Sequence, residues 1–353
     1  MTKGEELNGK PHAGKSQVRF DEGKVELSAI TRRGSILCKH RNFAIDFLKF
    51  VAVLCIFNAH STMLYPIYPW LSTGGYVGDA LFFFCSGYTL LSGGGDRFDT
   101  WYKRRLSRIW PSCLAWGVLS AIVLNKPLAI TDALAGIGWF VQYILVVYVV
   151  IWIVGAFFRA RLNWIFSISV VLSVMCCVVC LVMDDKNPDH WKWPVFFPVV
   201  MLGALLGNNR YDGKSNLWVN FIMCVVSFGL FTSVVAGTSR LGIKYLALME
   251  VPLLLAFVWF AYRLTCSMKL EEWSKGNTWL MVRIVGSLCL DFYLVKWKFI
   301  SGALCCLFPL NLPIMLVYLL AIAYCNRSIG RFLQQSLSSK KEPYDWKAIF
   351  SLC

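Results

Sequence analysis

The chain has 353 residues, 57% of them hydrophobic and only 16% charged, a balance that argues against a water-soluble domain of this length. In a soluble protein a net charge of +15 would point to nucleic acid or another acidic partner; here the basic residues sit between long apolar blocks, so their placement relative to a membrane is what matters, and no nucleic-acid partner is expected. Most of the fourteen cysteines, Cys176, Cys177 and Cys180 among them, lie within those blocks, where they behave as small hydrophobes and are read as reduced.

Residues 1–40 are polar, mixed in charge and punctuated by Gly4, Gly9, Gly14 and Gly23, which predicts a loosely ordered cytoplasmic tail. The first apolar run follows this polar stretch without a small-residue cleavage site, so it is expected to stay in place as an anchor. A bilayer core of about 30 Å needs about 20 mostly apolar residues per helix. Segments of that kind predict an all-α polytopic bundle of about ten transmembrane helices, at 43–64, 76–92, 108–124, 138–158, 164–183, 194–207, 216–236, 244–262, 279–299 and 303–325. Gly93, Gly94 and Gly95 form a flexible turn before the third span. The membrane domain is placed over 41–326, with a basic cytoplasmic tail over 327–353.

Charge placement gives the orientation. With ten spans and both termini in the cytoplasm, that side receives Lys3 through Arg41, Arg97 to Arg108, Arg159, Arg161, Arg210, Lys214, Arg263 to Arg283 and Arg327 to Lys347. The opposite side receives only Lys126, Lys186, Lys192, Arg240, Lys244, Lys296 and Lys298. An odd number of spans would scramble this asymmetry.

The first span carries Asp46, Lys49 and His60, and a charged group inside a membrane is costly enough to be a functional candidate. At 100° per residue, His60 returns to within about 20° of Lys49 and within about 40° of Asp46, so all three share one stripe. Lys49 and His60 are about 16 Å apart along the axis, which spreads the stripe along a cavity and places His60 well into the membrane. His60 exchanges a proton near neutral pH and suits general base work on a hydroxyl; the competing reading is a buried neutral histidine that joins two helices.

At the mouth of the third span stand Lys103, Arg104, Arg105 and Arg108, then Trp110 and Pro111. The positive-inside rule alone accounts for Lys103 and Arg104. Arg105 and Arg108 are three residues apart and share a helix face, giving a guanidinium pair suited to the phosphates of a cytoplasmic donor. In the second span, Ser86 and Gly87 are small and read as a packing surface, with Tyr88 beside them lining the cavity. Asp79, at the outer edge of that span, is read either as solvated or as part of the site.

These residues fall into a pattern. Asp46-x-x-Lys49 followed by His60, then Leu81-Phe82-Phe83-x-x-Ser86-Gly87-Tyr88, then Arg105-x-x-Arg108-Ile109-x-Pro111 resembles the type 3 membrane acyltransferases, bacterial O-acetyltransferases of surface glycans. Gly138-Trp139-Phe140 leading to Tyr148, and Gly286-Ser287 leading to Tyr293-Leu294-Val295, extend the likeness over about residues 41–326. The resemblance implies ten helices in the inner membrane, an acyl-CoA donor, acetyl-CoA in the simplest case, and an acyl group moved to a hydroxyl of a cell-surface or lipid-linked glycan. It implies no tightly bound cofactor and no metal. Carried over by position, it makes His60 the catalytic histidine, Lys49 the basic partner of its motif, and Arg105 and Arg108 the donor-site arginines; Asp46, with Lys49, is expected to tune the field along the cavity. Two positions depart from the pattern. The acid before the Phe-Phe motif stands one place early, as Asp79, and Lys296 replaces the histidine that usually follows Tyr-Leu-Val. Lys296 is expected to snorkel to the outer boundary and is left out of the catalytic set.

Two other functions use the same residues. A glycan or anion transporter would line its path with the same stripe, although no pair of Gly/Pro-broken spans recurs in corresponding halves. A scaffold in a glycan-assembly complex would carry the motifs without using them.

Overall fold

The computed structural model describes residues 42–91, 97–123, 139–183, 188–209, 216–338 and 343–352. The predicted tail over 1–40, the Gly93 to Gly95 turn and Gly138 lie outside these.

The helices in chain order are α1 (Phe43–His60), α2 (Gly75–Leu90), α3 (Phe98–Val123), α4 (Trp139–Phe157), α5 (Leu162–Val182), α6 (Pro188–Asn209), α7 (Leu217–Arg240) and α8 (Ala247–Ser267). They continue with α9 (Leu270–Trp273), α10 (Thr278–Ser287), α11 (Cys289–Phe299), α12 (Asn311–Ser336) and α13 (Trp346–Ile349). Among the described residues there is no strand. A helical segment falls at each predicted span position, but length and apolarity separate them: seven are able to cross a bilayer alone, and α10 with α11, bent by 60°, makes an eighth. The seven are α1, α3, α4, α5, α7, α8 and α12. The remaining two, α2 and α6, are the interior of the bundle. At 16 residues α2 is short, but ten of its residues are buried.

Glycine explains how α2 and α6 come together. A methyl group on Gly87 would sit 2.1 Å from the Val200 carbonyl, on Gly203 2.2 Å from the Phe84 carbonyl, and on Gly207 2.1 Å from the Tyr88 carbonyl. Backbone therefore meets backbone along the whole contact, the small-residue packing that membranes favour where apolar surface has no water to escape. In the middle of α6, Pro198 has no N–H to give the Pro194 carbonyl four residues earlier. Ser173 from α5 donates its hydroxyl to that carbonyl at 2.6 Å, so the freed acceptor is satisfied by a neighbouring helix. By contrast α5 and α7 turn apolar faces outward, with Leu172, Val179, Phe221 and Val225 exposed, as lipid-facing helices do.

Several boundaries differ from the sequence expectations. The third helix begins at Phe98 rather than near 108, because the basic cluster is itself helical. The span over 279–299 breaks at Leu288 into α10 and α11. The last helix starts at Asn311, after a 3₁₀ segment over Gly302–Leu307, and continues through the predicted tail boundary to Ser336. Residues 343–352 then fold back onto it: Arg331 donates to the Ser351 carbonyl at 2.6 Å and Tyr324 to that of Phe350 at 2.9 Å. The Leu352 carbonyl accepts from Ser287 at the end of α10. Gly286 abuts Asp46 in the first turn of α1, so the start of α1 and the C-terminal segment lie at the same end of the bundle.

Candidate active site

Asp46 stands in the first turn of α1 and His60 is its last residue, so the stripe runs from one end of an 18-residue helix to the other. At 1.5 Å per residue that helix is about 27 Å long. The sequence reading carried the span to residue 64 and placed His60 well inside; the helix instead stops at His60, where Ser61 turns back to the Asn58 carbonyl through its N–H and to the Phe57 carbonyl through its hydroxyl.

A fixed loop roofs this end. Asn58, two residues before the histidine, donates to the Leu71 carbonyl at 2.8 Å and the Thr73 carbonyl at 2.9 Å, and accepts from Tyr65. Ser72 donates back to the Asn58 carbonyl at 2.8 Å. From α12, Asn311 donates to the Leu64 carbonyl at 2.7 Å, tying the roof to the last long helix. Gly74 closes the loop at φ 101°, a left-handed conformation that favours glycine, and packs beside Cys55. The loop exposes Met63, Ile67, Tyr68 and Trp70 outward, and Tyr68 and Trp70 are the residue types of a membrane–water interface.

Around His60 the structure assembles side chains that the motif reading kept apart. The charges acting on it are those of Lys296 from α11 and Lys192 from α6. Lys296 does not snorkel: it is 1% exposed, with its ammonium 3.4 Å from the centre of the Tyr293 ring. That ring is itself stacked on Phe140 at 4.0 Å. Lys192 lies 4.8 Å from the Trp139 ring centre. Asp79 faces Lys296 and Lys192 from α2 and is not solvated, since its Oδ1 is buried with no hydrogen-bond donor. Applied to every span rather than to the first alone, the rule that intramembrane charges mark function would have found Lys296.

Lys49 belongs to a different level of the same stripe. Its charge, with that of Asp46, acts on Cys85 in α2. Cys289, at the break between α10 and α11, feels the charges of Lys49, Lys296 and Asp79 together. Asp46 and His60 stand at opposite ends of α1, so the three stripe residues form no single contact cluster. Of the second-span residues, Gly87 is buried against α6, while the hydroxyls of Tyr88 and Tyr262 meet at 3.4 Å. Ser86 is half-buried beside them and its carbonyl accepts from Thr89 at 3.0 Å.

Arg105 and Arg108 lie in the part of α3 nearest the Asp46 end. Arg105 is half-buried with its guanidinium 5.4 Å from the Trp101 ring centre, and Arg108 is exposed. Both charges act on Tyr148 of α4, whose ring meets Trp101 edge-on at 6.0 Å. One cation of the pair is therefore held by aromatic rings and the other reaches solvent. A further buried polar group, invisible to the motif reading, joins the bundle near here: Asn326 of α12 donates to Asp291 of α11 at 2.8 Å and to the Ser112 carbonyl of α3 at 3.2 Å.

The arrangement is a histidine and a buried lysine at one end of a helix bundle, and a guanidinium pair towards the other. No curated protein and no solved structure matches the chain. Residues 42–325, from the start of α1 into α12, match the acyltransferase domain. The chain therefore belongs to the acyltransferase 3 family and is a multi-pass membrane O-acyltransferase.

Proposed function

We propose that the protein moves an acyl group, acetyl in the simplest case, from a cytoplasmic acyl-CoA to a hydroxyl of a cell-surface or lipid-linked glycan at the inner membrane. The observation that carries this reading is the separation of His60, at one end of α1, from Arg105 and Arg108 towards the other end of the bundle. A donor with phosphates at one end of a long pantetheine arm and a thioester at the other fits that separation. Arg105 and Arg108 bind the phosphates at the cytoplasmic mouth. The thioester enters along the stripe, past Asp46 and Lys49, whose opposite charges lower each other's cost in the membrane. His60 takes the proton of the acceptor hydroxyl as that oxygen attacks the carbonyl, either directly or after a transient acyl-histidine. The acyl-CoA is a co-substrate, and no resident cofactor takes part.

This orientation puts both termini in the cytoplasm and counts α2, α6 and the bent pair as passes, ten in all; it is supported by α1 starting and the C-terminal segment ending at one end of the bundle, as an even number requires. The test compares surface glycan from cells carrying the native protein and His60→Ala at equal membrane abundance. Mass spectrometry is expected to show the acyl increment disappear in the variant. Unchanged acylation would remove His60 from the mechanism.

A further inference from the structure

We infer that Lys296 is a second catalytic group of the acyl transfer, placed by Asp79 so that its ammonium holds the oxyanion formed when the thioester carbonyl is attacked beside His60. This rests on the acyl-transfer reading above and adds to it a residue that the motif pattern omits.

The observations come from three helices that converge at the roofed end. From α11, Lys296 is almost completely buried and its head is fixed over the Tyr293 ring, which Phe140 clamps from behind. From α2, Asp79 faces that head while its Oδ1 keeps an unfilled acceptor in a buried place. From α1, His60 lies within reach of the Lys296 charge. Taking an ammonium out of water costs several kcal/mol, and a carboxylate partner compensates only if its oxygens are fully satisfied. Here one oxygen is not. A pair serving packing alone is poorly built in this way, whereas a cation that must face developing negative charge needs a partner that positions it without consuming all three of its N–H donors.

The step balances without any other reactant. His60 accepts the proton of the glycan hydroxyl, whose oxygen forms a bond to the thioester carbon. The carbonyl π pair moves to its oxygen, and the Lys296 ammonium donates a hydrogen bond to that oxyanion while remaining protonated. As the pair returns, the carbon–sulfur bond breaks, and His60 passes its proton to the leaving thiolate. The products are the O-acyl glycan and free CoA, and both side chains return to their starting states.

Lys296→Met, Asp79→Asn and the double variant are compared with native protein in reconstituted vesicles, with acetyl-CoA as donor and membrane glycan from the host cells as acceptor. Rates are taken per folded molecule, counted from the monodisperse peak in detergent. Lys296→Met is expected to lower kcat about 100-fold to 1,000-fold, the loss typical of one oxyanion donor, with the donor KM within about threefold of native. Asp79→Asn lowers kcat about tenfold through misplacement, and Asp79→Glu recovers part of that loss. The double variant removes both buried charges, so its Tm returns towards native while its kcat stays as low as that of Lys296→Met. If the double variant regains native kcat along with stability, or Lys296→Met stays within about threefold of native kcat, the pair is structural and the inference falls. His60→Ala is run in parallel: if it transfers acetyl at the native rate, the general-base reading has failed, whereas an inactive His60→Ala beside an active Lys296→Met sinks only the role of Lys296.

Discussion

At the scale of single residues, the two ends of the bundle make different demands on their cations. Arg105 is held against the Trp101 ring while Arg108 reaches solvent, and their proposed task is to bind phosphate oxygens rather than to join the chemistry. Arg105→Ala is therefore expected to raise the donor KM about tenfold to 100-fold, the loss of one charge-assisted hydrogen bond of about 1.5–3 kcal/mol, with kcat nearly unchanged. Arg105→Lys recovers little, since a point charge cannot reproduce a planar fork stacked on Trp101. Unaltered acyl-CoA affinity in both variants would refute the phosphate role. Asn58 makes a contrasting case: its amide satisfies two loop carbonyls and sits two residues from His60. Removing it in Asn58→Ala leaves those carbonyls without a donor, at about 1–3 kcal/mol each where water cannot replace it. The expected result is a lower Tm together with a lower kcat, measured on purified protein; an unchanged pair of values would show that the roof does not position the histidine.

At the scale of helices, the contact between α2 and α6 is the least forgiving surface in the molecule. A side chain at Gly87 must push apart two backbones that touch, with no flexible atom to move aside. Gly87→Ala is expected to destabilise by about 1–3 kcal/mol and Gly87→Val by more, read as reduced recovery of monodisperse protein in detergent. Normal yield and Tm for Gly87→Val would contradict the packing geometry. This is also where the limits of sequence reading show. The long, uniformly apolar helices such as α4 and α5 were legible because their composition alone places them in lipid. The span over 279–299 also read as one helix, because hydropathy averages over a window and does not sense a break at Leu288. The motif residues on α1 and α3 were legible by helical spacing. The group around His60 was not, since α2, α6 and α11 meet there through chain separations that no periodicity encodes, and an isolated Lys296 reads as a lysine free to leave the membrane. Only the burial of Lys296 against Tyr293 separates the two cases.

At the scale of the whole molecule, the proposed even number of passes has a direct check. A fluorescent protein fused after Cys353 is expected to fluoresce, as it does only when folded in the cytoplasm, and an alkaline phosphatase fusion at the same place is expected to be inactive. The reverse pattern would overturn the orientation. The C-terminal segment also contributes to the fold through Arg331, Tyr324 and Ser287, so a chain ending at 342 should show a lower Tm in detergent; an unchanged Tm would mean that the segment rests on the bundle without stabilising it. Finally, the bent pair bears on biogenesis. Its halves have 10 and 11 residues, and Arg283, Asp291, Lys296 and Lys298 lie between Thr278 and Phe299. The insertion machinery charges about 2.5–3.5 kcal/mol for each such residue near a helix centre. Offered alone, this stretch is a poor substrate for lateral release into lipid; it becomes acceptable once α2 has brought Asp79 to meet Lys296, and once α12 has brought Asn326 to meet Asp291. On the proposed ten-pass arrangement, this late stretch depends on partners made both before and after it, so the end proposed to carry the chemistry is completed only once α12 has been made.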